Sequence, residues 1–141
     1  MSNDRAPLKT AADALAYALA GNARLTLLST KTGVRFTYRV RAKESLFFVA
    51  VLTGSDNESD YTFLGTIFAD RVYRHGRRST IGFDAPSEKA FTYFWANVMR
   101  GRLPEQLEVW HEGSCGRCGR PLTDPESIAR GIGPVCLEGG S

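Results

Sequence analysis

The residues best suited to chemistry lie close together near the end of the chain. His111, Cys115, Cys118 and Cys136 follow one another with the spacing H-x3-C-x2-C-x17-C. Three thiolates and one imidazole can complete the tetrahedral shell of a zinc ion, and a shell closed by four protein ligands is structural. Glycine follows each of the first two cysteines, which favours a tight knuckle whose backbone N–H groups point at the sulfurs. The spacing therefore predicts one structural zinc that contributes to folding.

Other interpretations of this tail remain open. The fourth ligand could be Glu112, Asp124 or a water molecule in place of His111. Inert cysteines are another possibility, and an iron–sulfur centre a further one, although three cysteines and one histidine suit such a cluster poorly.

Catalytic uses of the tail fit less well. The zinc-protease helix needs a second histidine where this chain has Cys115, and Gly113 lies between. Zinc deaminases need H-x-E followed by Pro-Cys-x-x-Cys, whereas here Glu112 directly follows His111 and Ser114 precedes the first cysteine. Zinc ligation would also occupy the thiols that a cysteine nucleophile requires. We therefore expect a protein that is not an enzyme.

Arginine gives the second chemical signal. Fourteen of the 18 basic residues are arginines, in a chain of net charge +3, and the guanidinium group suits bidentate contact with phosphate. The candidate binding residues fall into a strand set, a loop set and a tail set: Arg35, Arg39 and Arg41; Arg74, Arg77 and Arg78; and Arg117, Arg120 and Arg130. If the sets share one surface, they form a phosphate-binding patch. The alternatives are three separate solvated faces and a biased genomic composition.

Two other segments carry weaker signals. Residues 130–134 look like the turn of a helix-hairpin-helix, but a turn that presents Cys136 to zinc explains them better. The acidic loop 54–60 lacks the pattern of a calcium loop and could face a basic partner surface.

Hydrophobic periodicity predicts the scaffold that must position these residues. Apolar spacing and a cap at Thr10 favour a first helix; a start at Pro86 and an aromatic stripe that includes Phe91, Phe94 and Trp95 favour a second. Alternating or continuous apolar runs favour strands. The expected helices are 10–20 and 87–100; the expected strands are 23–30, 34–41, 46–53, 61–69 and a short one from 107, with a basic hairpin or loop over 70–80. This order predicts the α+β class, an antiparallel sheet with two helices packed on one face, and a small C-terminal zinc ribbon or knuckle.

Individual strands carry more specific expectations. One face of the second strand should carry Val34, Phe36, Tyr38 and Val40, and the other face its arginines. Residues 46–53 are apolar on both faces, which is typical of a central, covered strand. Residues 1–7 are polar, and we expect them to be frayed.

Length and composition set the domain organisation. A chain of 141 residues fits one body, residues 1–108, followed by a zinc-binding module, residues 109–141, that holds too few large apolar side chains to fold without a staple. The early uncharged run 14–23 is ten residues, against the roughly 20 that cross a bilayer, and no secretory signal precedes it. Three cysteines confined to the last 27 residues do not form a disulfide framework. We expect a soluble protein of the cytoplasm.

The tail also carries a family resemblance. Residues 115–136, with their Cys-Gly-Arg-Cys-Gly-Arg start and Gly-Ile-Gly-Pro-Val-Cys end, resemble an uncharacterised family of zinc-tailed proteins of phages, plasmids and other mobile elements. Residues 20–41 and 52–65 resemble the body to which such tails are attached. The resemblance implies zinc at the three cysteines and His111, and a bacterial host. It implies no established activity.

Together these features predict a zinc-stabilised binding protein of nucleic acid or of a nucleoprotein complex. The alternative is a counter-defence, anti-CRISPR-like inhibitor that docks on a host nuclease complex. No membrane contact is expected, and the sequence does not indicate an oligomeric state.

Overall fold

A computed structural model describes residues 6–56, 59–118 and 131–132. Within them lie two helices and one antiparallel sheet of seven strands in the order β1-β7-β2-β3-β4-β5-β6. The strands are β1 (Ala6–Pro7), β2 (Asn22–Ser29), β3 (Arg35–Lys43), β4 (Leu46–Leu52), β5 (Tyr61–Ile67), β6 (Tyr73–His75) and β7 (Leu107–His111); the helices are α1 (Ala11–Ala18) and α2 (Pro86–Val98). The predicted α+β class, antiparallel sheet and two helices are confirmed. Most of the predicted zinc ribbon falls outside the described residues.

Local sequence explains where both helices begin. The Thr10 hydroxyl accepts the backbone N–H of Asp13 at 3.1 Å and so caps α1. Pro86 is the first residue of α2, where its fixed φ suits a helix and its missing N–H is not needed. Both helices pack on the same sheet face, which we call the helix face, and the opposite one is the outer face.

The core lies between the helices and the helix face. Phe91 of α2 is fully buried, and its ring centroid lies 4.8 Å from that of Tyr73, 5.2 Å from that of Tyr38 and 6.1 Å from that of the stacked Trp95. Aromatic packing of this kind contributes beyond the area that it buries. The predicted aromatic stripe of the second helix thus forms the centre of the core.

A buried carboxylate joins β6 to α2. Glu88 is 3% exposed. Its Oε1 accepts the Tyr73 hydroxyl at 2.7 Å and lies 2.8 Å from Nδ1 of His75, and its Oε2 accepts the Thr92 hydroxyl at 3.1 Å. Burial, followed by the hydrogen bond to Glu88, raises the pKa of Tyr73, so the phenol stays neutral and donates.

Two expectations change at the strand ends, and a third is resolved between its alternatives. Fraying is wrong at Ala6 and Pro7, because they pair with β7, and the N–H of Leu8 donates to the carbonyl of Val109 at 2.7 Å. Val34 is 50% exposed rather than core-facing, because its carbonyl accepts the Ser29 N–H and closes the turn before β3 begins. The basic segment 70–80 is a hairpin, since β6 pairs with β5.

The structure also shows where the predicted central strand lies in the sheet and which strand crosses the predicted domain boundary. Strand β4 is interior to the sheet, as predicted, and its residues Phe47, Val49 and Val51 face the helices; no described element packs over its outer side. Strand β7 crosses the predicted boundary between 1–108 and 109–141 and pairs with both β1 and β2. The division itself stays a prediction.

Among the residues that the structure describes, no helix has the length and apolar character needed to cross a membrane.

Candidate metal centre and arginine face

The cysteine knuckle follows directly from the end of β7. His111 is the last residue of that strand and is fully buried on the helix face. Cys115 is also buried, whereas Cys118 is exposed. The backbone N–H of Arg117 donates to Sγ of Cys115 at 3.4 Å, so an N–H group is directed at a sulfur in the way that the tight turn predicts. Two candidate thiols and the candidate imidazole are therefore grouped within eight residues of chain.

The hydrogen bonding of His111 defines how its ring could bind a metal. Its Nδ1 accepts the backbone N–H of Gly113 at 3.0 Å, so a neutral ring carries its hydrogen on Nε2. A metal needs the lone pair of a ring nitrogen. Ligation through Nδ1 would replace the Gly113 hydrogen bond, and ligation through Nε2 would require the hydrogen to move to Nδ1.

The described part of the chain does not complete a metal site. It contains no group of three or more His, Cys, Asp or Glu side chains placed to hold a metal ion. The predicted ligand Cys136 and the alternative ligand Asp124 lie outside the described residues.

The alternative ligand Glu112 has a different neighbourhood. Its Oε2 accepts the Thr26 hydroxyl at 2.5 Å, and Thr26 in turn shares a hydrogen bond of 2.7 Å with Thr37. These threonines lie on the outer face, because their strands alternate between the two faces. The carboxylate of Glu112 thus lies across the sheet from the ring of His111.

Tyr17 of α1 holds the knuckle against the body. Its side chain is fully buried, and its hydroxyl accepts the Arg24 N–H at 3.1 Å and is directed at the carbonyls of Arg24 and Ser114, at 2.9 and 3.2 Å. Its ring tilts against that of His111, with centroids 5.7 Å apart. Burial raises the pKa of Tyr17 to about 12, so the phenol remains a donor at neutral pH.

Two glycines let the tail approach this tyrosine. A Cβ on Gly116 or on Gly131 would lie 2.6 Å from Cδ1 of Tyr17, and Gly131 has a φ of +78°. The Gly116 N–H donates to the carbonyl of Gly131 at 2.8 Å, and the Gly116 carbonyl accepts the N–H of Asn22 at 2.6 Å. The chain that leads to Cys136 therefore returns to the knuckle at Gly131.

Strand register brings the first two arginine sets to one face. Arg41 of β3 pairs with Phe48, Phe48 with Thr66, and Thr66 with Arg74 of β6. Residues paired across an antiparallel sheet point to the same side, and three strand spacings amount to about 14 Å. Arg41 and Arg74 thus share a row on the outer face, although 32 residues separate them in the chain.

A second row places like charges beside one another. Arg24 of β2 pairs with Arg39 of β3. Desolvation, then the charges of Arg41 and Arg24, lower the pKa of Arg39, although Tyr61 opposes this. The guanidinium of Arg39 lies 4.7 Å from the ring centroid of Tyr61. This cation–π contact stabilises the charge of Arg39 without adding a negative group.

Aromatic rings lie among these arginines. The rings of Phe48 and Phe63 meet edge to face at 6.3 Å, and the guanidinium of Arg74 lies 5.9 Å from the ring centroid of Phe68. A depression of about 370 Å³ lies at this end of the outer face; its lining includes Phe63, Phe68, Arg74, Arg77 and Arg78. A smaller one of about 200 Å³ lies towards β7; its lining includes Leu28, Arg35 and Trp110.

The third arginine set is described only in part. Arg117 is exposed and follows Gly116, which is bonded to the first residue of β2. Arg120 and Arg130 lie outside the described residues.

Two residues of the outer face, Arg24 and Trp110, were not predicted from the sequence. The alternation of Arg24 with the apolar Ala23 and Leu25 was the signal that could have found the first of them.

Comparison with known proteins gives one match. A family of unknown function, DUF6011, matches residues 107–139. This segment begins with β7 and includes His111 and all three cysteines. No curated protein and no solved structure matches the chain.

Tyr17→Phe tests how the knuckle is held. The ring and its packing remain, but the buried groups of Arg24 and Ser114 lose their hydroxyl partner. We expect a loss of about 1 to 3 kcal/mol in the free energy of unfolding, measured by urea denaturation. Proteolysis of the segment that follows Ser114 should also become faster. Tyr93→Phe, which removes a hydroxyl from an exposed side chain, is the control. Equal stability of the two variants would show that the hydroxyl does not hold the tail.

Proposed function

We propose that this protein binds nucleic acid through the arginines of its outer face and uses zinc to fix its C-terminal tail. The row that pairs Arg41 with Phe48, Thr66 and Arg74 carries the proposal. This row supports one continuous surface that joins the strand arginines to the loop arginines. From the sequence alone, the two sets could equally have been separate patches.

Charge favours a polyanion as the partner. Arg35, Arg41, Arg74, Arg77 and Arg78 are all exposed. The lowered pKa of Arg39 reflects burial together with its two guanidinium neighbours, Arg41 and Arg24. Phosphates placed among such cations relieve their mutual repulsion and release condensed counterions. The binding is proposed without catalysis, so the arginines position phosphates and carry out no reaction.

Zinc is proposed as a structural ion. His111, Cys115, Cys118 and Cys136 would hold it, in a shell that tightens the tail. The fit is supported by the N–H group of Arg117 directed at the Cys115 sulfur and by the return of the chain at Gly131. Because the Gly113 N–H donates to Nδ1 of His111, zinc binding by His111 would rearrange that hydrogen bond.

Cys118→Ser tests the metal. Native mass spectrometry of the wild type should show about one zinc per chain, whereas the variant should lose it, since a neutral hydroxyl is a far weaker ligand than a thiolate. Arg117→Ser is the control, because it changes the residue before the same cysteine but removes no proposed ligand. A metal-free wild type with a tail fully protected from proteolysis would contradict the proposal.

The fourth ligand needs a variant of its own. In His111→Ala, zinc affinity should fall by orders of magnitude, while binding by the three thiolates persists. A competitive chelator titration measures the change. Unchanged affinity would assign the fourth position to Asp124, Glu112 or water.

Loss of Arg77 and Arg78 tests the arginine face. Log affinity should fall with log salt by about 0.7 to 0.9 for each neutralised phosphate. The double variant Arg77→Ala/Arg78→Ala should weaken binding to all sequences alike and reduce that slope by up to about two. The variant Arg100→Ala/Arg102→Ala loses the same charge from exposed positions just after α2 and is the control. If both variants keep the wild-type slope, the loop is a solvated surface.

A second candidate is docking on a host nucleoprotein complex. An apolar patch beside α2 favours it: Val72 and Met99 are exposed, and they line a depression of about 360 Å³ together with Trp95. The resemblance of this chain to zinc-tailed proteins of mobile elements fits a counter-defence role in a bacterial cytoplasm. Capture of a host complex after nuclease treatment, lost in Met99→Asp but kept in Arg77→Ala/Arg78→Ala, would favour this candidate over direct nucleic-acid binding.

A further inference from the structure

Aromatic rings are distributed over the outer face at both ends of the arginine rows. In the larger depression Phe68 is 37% exposed, and the lining also includes Phe63 and three arginines. In the smaller one, Trp110 and Arg35 both belong to the lining, and the indole N–H of Trp110 donates to Oε1 of Glu108 at 3.0 Å. Each depression therefore combines a flat apolar ring with at least one cation.

This combination suits unpaired bases. A base in a duplex has both ring faces covered by its neighbours, whereas a base in a single strand can stack on a protein side chain. Phosphates would then contact the arginines that alternate with the rings. Duplex phosphates alone would engage the arginines and leave the rings in the depressions uncovered.

We infer that the outer face binds single-stranded rather than duplex nucleic acid, with bases stacked in the two depressions and phosphates on the arginines between them. The inference rests on the proposed nucleic-acid function and adds the strandedness of the ligand.

The spacing of the depressions sets a length for the ligand. Trp110 is on β7 and Phe63 on β5, four strand spacings apart in the sheet order, which amounts to about 19 Å. At 3.4 Å for each stacked nucleotide, about six nucleotides cover this distance. Arg39 and Arg41 of β3 lie between the two ends. A trinucleotide should therefore reach one depression and a nonanucleotide both.

Tryptophan fluorescence can report the stacking. The chain contains two tryptophans. Trp95 is 4% exposed in the core and donates its indole N–H to the carbonyl of Arg71, whereas Trp110 lines the outer face. A base stacked on Trp110 should quench its emission and leave that of Trp95 unchanged.

The experiment compares dye-labelled nonadeoxythymidylate with a mixed-sequence duplex of 15 base pairs, both at 100 mM salt. The single strand should bind at least tenfold more tightly, quench the tryptophan emission, and bind more tightly than the trinucleotide. In Trp110→Phe the quenching should vanish, while affinity stays within about threefold because the ring remains.

Phe68→Leu supplies the matched test of stacking. It keeps an apolar side chain but removes the ring, so affinity for the nonanucleotide should fall about fivefold to tenfold. The salt slope should not change, because no charge is lost. Tyr93→Leu, at an exposed position on α2, is the control for removing a surface ring, and circular dichroism checks the fold of each variant.

The failures are distinguishable. If the duplex binds as tightly as the single strand, without quenching, and Phe68→Leu has no effect, single-strand binding is overturned while the proposed function stands. If neither nucleic acid binds and the partner is a protein complex, both fail.

Discussion

Both helices pack on the same face of the sheet, and this one-sided packing decides what each strand residue can do. Because side chains alternate along a strand, every strand that supplies an apolar residue to the core supplies its neighbour to the outer face. In β3, Tyr38 and Val40 are buried among the helices, while Arg39 and Arg41 project the other way. A register slip of one residue would exchange the two sets and bury guanidinium groups. The hydrophobic core therefore also fixes the arginine face.

Strand β7 connects the two candidate sites. It pairs with β1 and β2 and so belongs to the sheet rather than to a separate tail. Its last residue, His111, is buried on the helix face beside Tyr17, whereas Trp110 lines a depression on the outer face. The proposed metal centre and the proposed nucleic-acid surface thus lie on opposite sides of one strand. A zinc shell that fixed His111 would also fix the strand that presents Trp110.

Electrostatics and packing favour different partners on different surfaces. The outer face combines cations with aromatic rings, as the contacts of Arg39 with Tyr61 and of Arg74 with Phe68 show. Such contacts hold the guanidinium groups in place without neutralising them, which leaves their charge for a ligand. The patch beside α2 instead exposes Val72 and Met99 and suits an apolar partner. Nucleic-acid binding and protein docking would therefore use separable surfaces, and variants on one need not affect the other.

The sequence by itself determined the local features. The alternation of residues 35–41, the Thr10 cap, the Pro86 start and the aromatic stripe of α2 follow from local periodicity and capping, and the structure confirms them. The C-x2-C spacing is likewise local, although the zinc that it predicts stays a prediction.

Tertiary structure decided the rest, because it depends on contacts between residues distant in the chain. No local pattern shows that β7 inserts between β1 and β2, or that Ala6 and Pro7 pair with it instead of fraying. The row from Arg41 to Arg74 exists because of the pairing order and register of four strands. Periodicity can place an arginine on a strand face, but the sheet's long-range pairing decides which other arginines share that face.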